Sequence, residues 1–104
     1  MATPIEYVNY VCDQISTIKN VRYKKMFGEY MVYVNDKPIL LVCDSTVYVK
    51  IKDEIKDLMK NEATGIPYKG AKKHYVLDVE NKDLCVKVIN ELERITPLPR
   101  RKSK

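Results

Sequence analysis

The feature that most limits how this chain can fold lies between Tyr30 and Ile51. Three runs rich in β-branched and aromatic residues, Tyr30–Val34, Ile39–Cys43 and Thr46–Ile51, are separated only by Asn35-Asp36-Lys37-Pro38 and Asp44-Ser45. Such runs fit a pleated, half-buried surface. Asn and Asp tolerate positive φ, so both connections predict tight hairpin turns. Pro38 cannot donate to a ladder but is tolerated at a strand start. Strands joined this closely must be antiparallel neighbours.

The flanks add helices. Thr3-Pro4-Ile5-Glu6 reads as a helix start, with Thr3 as N-cap, Pro4 in the first helical position and Glu6 closing a capping box. Ile5, Val8, Cys12 and Ile15 recur at helical spacing, which predicts a helix over 4–18. Val21 to Phe27 alternates without favouring either face, and Gly28 suggests a bulge or kink between strands. Asp53 is expected to open a second helix carrying Ile55, Leu58 and Met59. Residues 66–71 read as a loop and His74 to Val79 as a strand. Asn81 is expected to cap a third helix, stopped at Thr96-Pro97-Leu98-Pro99.

The order is α-β-β-β-β-α-β-α. It predicts an α+β, two-layer domain with an antiparallel sheet of about five strands and three helices. The expected division is one domain over 1–96 and a basic, disordered tail over 97–104. The central strands are apolar on both faces: Tyr30, Val32 and Val34 on one side of their strand, Met31 and Tyr33 on the other. Either the helices divide between the faces, or the open face meets another molecule.

A chain of 104 residues suits one domain. No segment nears the roughly 18 apolar residues that span a bilayer, and the N-terminus lacks the pattern of a signal peptide, so a cytoplasmic protein is expected. Cys12, Cys43 and Cys85 are too scattered for a redox or zinc motif. The net charge is +5, but Arg100, Arg101, Lys102 and Lys104 lie in the tail, which leaves the body at +1.

No constellation carries clear chemistry. His74 is the only histidine, so a cysteine–histidine pair would have to use it, with Cys43 as its best partner; all three cysteines nevertheless fall on apolar faces. Asp53, Glu54 and Asp57 suit a helix start better than an acid–base pair or a magnesium site. Catalytic, cofactor and metal sites are accordingly not expected. Basic and aromatic residues interleave at Arg22-Tyr23-Lys24-Lys25 and from Tyr68 to Tyr75, a pattern that serves single-strand binding or merely guards a strand edge. The candidate contact residues are Arg22, Lys24, Tyr30, Tyr33, Lys72, Lys73, Arg100 and Arg101. The partners they suit are a protein, a second copy of the chain, or nucleic acid.

Met26-Phe27-Gly28-Glu29, the Tyr30–Val34 strand, the Asn35–Lys37 turn, the Pro38–Cys43 strand and Val47-Tyr48-Val49-Lys50 together resemble the N-terminal domain of the TfoX/Sxy family. Pro67-Tyr68 and Tyr75 extend the likeness more loosely. Glu29 stands where the family pattern has a second glycine. The resemblance implies a stand-alone N-terminal domain, without the helical second domain of full-length members. It also implies a non-enzymatic regulator of bacterial competence for DNA transformation, with a transcription factor such as the cyclic-AMP receptor protein as partner.

Overall fold

A computed structural model describes residues 3–26 and 29–98. Helix α1 (Ile5–Gln14) is followed by strands β1 (Val21–Met26), β2 (Glu29–Val34), β3 (Lys37–Cys43) and β4 (Thr46–Lys50). A 3-10 turn (Asp53–Ile55), strands β5 (Thr64–Gly65) and β6 (His74–Val76), and helix α2 (Lys82–Ile95) complete the order. The α+β class is as the sequence predicts.

Both hairpin turns form. Asn35 and Asp36 have φ of 52° and 65°, and Asp44 and Ser45 of 51° and 55°. Positive φ at both central residues gives the turn whose twist matches that of paired strands. Asn20, at φ 61°, is left-handed too. Its carbonyl accepts from Asn35 N (3.1 Å) and its side-chain amide donates to Asn35 Oδ1 (2.8 Å), so the start of β1 is tied to the β2–β3 turn.

The strands form one antiparallel sheet in the order β1-β2-β3-β4-β6-β5. The strand beyond expectation is β5, whose two residues are too few to leave an alternation in the sequence. β1 pairs with β2 along its whole length, from Val21 opposite Val34 to Met26 opposite Glu29. The bulge expected at Gly28 falls outside the described residues. A bulge does occur between β2 and β3, where Tyr33 pairs with Pro38 and Val32 with Leu40, leaving Ile39 as the extra residue. It lies next to the proline that has no N–H to give, and it sends Ile39 into the core at 6% exposure.

The helices do not divide between the faces. Val8, Val11 and Ile15 join Cys85, Val88, Ile89 and Leu92 of α2 in one cluster with Val32, Val34, Leu40, Val42, Val47 and Val49. The alternate residues of the sheet, Met31, Tyr33, Leu41, Tyr48 and Val76, stay half-exposed.

Three local expectations are corrected. Thr3 does not cap α1, since Pro4 holds that position with no side-chain bond. The Thr3 hydroxyl instead donates to Glu29 Oε1 (2.5 Å) and accepts from Ser45 N (3.1 Å), while Glu29 Oε1 also accepts from Asp44 N (3.1 Å). A tertiary contact that buries Thr3 at the β3–β4 turn has displaced the capping box. Second, α1 ends at Gln14 rather than near 18, although Ile15 and Ile18 still pack on the core from the turns that follow. Third, the expected second helix is a single 3-10 turn continued by turns, so the described residues form two α-helices, not three. Ile55 and Met59 are buried as expected, joined by Met59 N donating to Ile55 O (3.0 Å). Their apolar set covers about one helical turn, too short a stretch to sustain a helix.

The third predicted helix forms as expected. Asn81 Oδ1 accepts from Leu84 N (3.2 Å) at its start. At its end, Lys37 Nζ donates to the Glu93 carbonyl (2.8 Å) and pairs with the Glu93 carboxylate (3.1 Å). A cation there satisfies a carbonyl of the last turn and complements the helix dipole.

Leu40 and Leu41 are neighbours on opposite faces, so they test this sidedness. Leu40→Ala is expected to cost about 2–5 kcal/mol in urea denaturation, and Leu41→Ala less than half as much. The hydrogen bonds from Lys37 and then Asn35 hold the Glu93 carboxyl below the usual range. A carboxyl depressed in the folded state stabilises above its ordinary pKa, and that contribution is lost as pH falls through the folded value. Glu93→Gln is therefore expected to destabilise at neutral pH and to flatten the fall in stability below about pH 4, as followed by thermal melts across pH.

Candidate functional site

Cross-strand pairing aligns a row on the open face: Lys24, Met31, Leu41, Tyr48 and Val76, one from each of β1, β2, β3, β4 and β6. On the same face, nearer the end of β4, Lys50 lies opposite His74, and His74 opposite Gly65. The connection from β5 to β6 returns over this end of the sheet. Its turn is closed by Ala71 N donating to Tyr68 O (3.0 Å), and Gly70 sits within it at φ 89°. A turn with positive φ at its third residue calls for glycine.

The result is a cleft of about 310 Å³ whose walls include Met31, Leu41, Tyr48, Lys50, Tyr68 and Lys72. A second cleft adjoins it, walled by Lys50, Ile51, Lys52, Lys72, Lys73 and His74. Neither wall contains an Asp or a Glu. Lys50, Lys52, Lys72 and Lys73 have no carboxylate partner among the described residues. His74 stands edge-on to Tyr48, with ring centroids 6.3 Å apart. Its Nδ1 lies 2.8 Å from the Lys72 carbonyl. A carbonyl only accepts, so Nδ1 carries the proton and Nε2 faces away as an acceptor in the neutral ring.

The candidate residues fall into two patches and a remainder. Lys72 and Lys73 join the clefts. Arg22 and Lys24 on β1, and Tyr33 on β2 beside them, sit at the far side of the same face; β1 is four strands from β6, roughly 19 Å at about 4.8 Å per strand. Arg22 is engaged there already, with Nε 3.1 Å from Asp36 and its guanidinium 5.1 Å from the centre of the Tyr33 ring. Tyr30 is a correction: it is 7% exposed in the core, packed edge-on against Tyr23 at 5.6 Å, on the face opposite Tyr33. Alternation from Met31 and Tyr33 places it there. Arg100 and Arg101 lie outside the described residues.

The sequence reading missed Lys50, Lys52, Leu41 and Tyr48 as members of the site. Their only local signal is the alternation Tyr48-Val49-Lys50; the pairing of β4 with β6 brings them to Lys72 and His74. Edge-guarding accounts for the lysines of β1, which is an edge strand, but not for those preceding β6, which has neighbours on both sides.

Cys43 and His74 do not meet. Cys43 pairs with Thr46 at one end of β4, and His74 with Lys50 at the other. Four residues of strand, roughly 13 Å, separate those levels. Burial pushes the Cys43 and Cys85 thiols up to about 11, and the Cys85 thiol donates to Asp78 O (3.3 Å). Asp53, Glu54 and Asp57 are exposed, and among the described residues no three His, Cys, Asp or Glu side chains gather to hold a metal. Also among these residues, no helix is long and apolar enough to cross a membrane. Thiolate fraction sets thiol reactivity, so Cys43 and Cys85 are expected to react with Ellman's reagent at pH 8 more than about 100-fold slower in the native than in the urea-unfolded protein.

Two comparisons bear on this arrangement. The profile of the TfoX N-terminal domain matches residues 13–91. A protein of Spirochaeta aurantia, described as an uncharacterized 12.7 kDa protein in the trpE 5' region, is 38% identical over 78 residues, which are 75% of this chain and 68% of that protein. The match spans the meander, most of the residues lining the cleft and most of α2, and the chain belongs to the TfoX N-terminal domain family.

Proposed function

We propose that the chain is a non-catalytic regulatory module of the competence-regulator type, acting in transcription regulation by docking the open face of its sheet on a protein partner. The observation that carries this reading is the row Met31–Leu41–Tyr48–Val76. It is apolar, half-exposed and continuous across four strands, while every counterpart on the other face is covered by helices. An apolar sheet face left open in this way marks a contact surface. The buried, high-pKa thiols and the separation of Cys43 from His74 support a binding role over cysteine catalysis. A second copy of the chain is the simplest partner of such a face, and a transcription factor is the partner that the family suggests.

Leu41→Asp places a charge in the middle of the row without touching the core. Its melting temperature is expected to fall less than that of Leu40→Asp, whose side chain lies in the core. Proteins captured from the native cell by the wild-type chain should be lost with Leu41→Asp and retained with Lys87→Glu on the exposed side of α2. Light scattering of the two purified proteins tells self-association from a foreign partner. A captured set indifferent to Leu41→Asp would sink the reading.

A further inference from the structure

The two adjoining clefts have an uneven charge that the apolar row does not explain. Lys50 and Lys52 come from β4 and the residues after it, and Lys72 and Lys73 from the β5–β6 connection. These segments are distant in sequence, yet all four lysines line one site. No acid stands among them, and the adjoining cleft is lined by Met31 and Leu41 and bordered by Ile39 of the core and by Leu92 and Thr96 at the end of α2. A site lined by four lysines and no acid is complementary in charge to an anionic occupant.

We propose that this end of the open face binds an acidic protein segment carrying one large apolar side chain. The proposal rests on reading the open face as the contact surface, and it names the chemistry of what docks there. The apolar side chain enters the 310 Å³ cleft over Met31 and Leu41, while flanking Asp or Glu side chains meet Lys50, Lys52, Lys72 and Lys73. A volume near the lower limit for ligand pockets, about 300 Å³, suits a side chain better than a whole cofactor. Lysine stems lie along apolar surface with their ammonium groups in water, so one rim serves both contacts.

Two observations favour a peptide over a nucleic acid strand. Tyr48 is turned edge-on to His74, with an interplanar angle of 85°. The cleft walls contain no arginine, the residue suited to bidentate phosphate contacts.

The test is selection of a random dodecapeptide display library on the intact chain. An enriched peptide is then synthesised and titrated by fluorescence anisotropy. It is measured against wild type, Lys50→Glu/Lys72→Glu, Leu41→Asp and, as a surface control, Lys82→Glu/Lys87→Glu, with a thymidine oligonucleotide of equal charge in parallel. The enriched sequences should combine several Asp or Glu with an aromatic residue or Leu. Binding should weaken at least about tenfold with Lys50→Glu/Lys72→Glu, as for loss of close charge pairs, and change little with the control. The exposed lysine variant carries the test even if Leu41→Asp lowers stability. Neutral peptides lost with Leu41→Asp would overturn the acidic assignment and leave the open-face reading standing. Peptides indifferent to both variants, or no enrichment at all, would overturn the acidic-segment proposal, while the open-face reading stands or falls separately on the capture by Leu41→Asp. An oligonucleotide that binds more tightly through the same lysines would assign the site to nucleic acid and overturn the proposal.

Discussion

Two left-handed dipeptides hold the rest of this fold in place. Asn35-Asp36 and Asp44-Ser45 each put consecutive residues at positive φ, which only a few side chains tolerate. That geometry reverses the chain in the smallest number of residues and fixes which residue of β2 meets which of β3, and which of β3 meets which of β4. Side chains alternate with a period of two, so a slip of one residue would turn Val32, Leu40 and Val42 outward and Met31 and Leu41 inward. The Ile39 bulge is the one local departure from that register, and it falls beside the one residue in the meander that lacks an N–H. Other contacts hold the turns in turn: Asn20 bonds to Asn35 at one, while Thr3 and Glu29 bond to the backbone of Asp44 and Ser45 at the other.

With register fixed, the placement of the helices decides what the molecule shows to its surroundings. α1 and α2 share one face, and their apolar residues complete a single core with the inward row. Among the described residues, the other face receives the short connection between β5 and β6, with the end of α2 at the border of the cleft. Its apolar residues therefore lie in an intermediate state, neither sealed nor freely solvated, and the connection converts part of a flat surface into a cleft.

The charges sort in the same way. Lys37 reaches across the covered side to the last turn of α2 and is half-buried with Glu93, so its pair has a defined structural task. Arg22–Asp36 and Arg94–Glu91 lie at the surface, where such pairs contribute at most about 1 kcal/mol. The lysines around the cleft differ from all of these. They have been gathered from separate segments without compensating acids, and no packing role accounts for them.

The sequence by itself determined the meander, both turns, the capped C-terminal helix, the α+β class and the family, because these rest on interactions between residues close in the chain. Asn35, Asp44 and Asn81 act on their immediate neighbours, and the Met26–Lys50 pattern is a run of such local signals. Where a distant partner competed, local reasoning failed: Thr3 left its cap for Glu29 and Ser45, and the segment after Asp53 has too few apolar anchors to continue as a helix. The site was the least legible part. Lys72 and Lys73 stand out in the sequence as a basic cluster, whereas Tyr30, a candidate contact by residue type, lies in the core on the face opposite Tyr33. Only the tertiary structure decided that both helices cover the same face, and that β4 lies beside β6. The reason is that strand order and layer assignment come from contacts between residues far apart in the chain, and those contacts bring Lys50 and Lys52 to Lys72 and Lys73 above Met31 and Leu41.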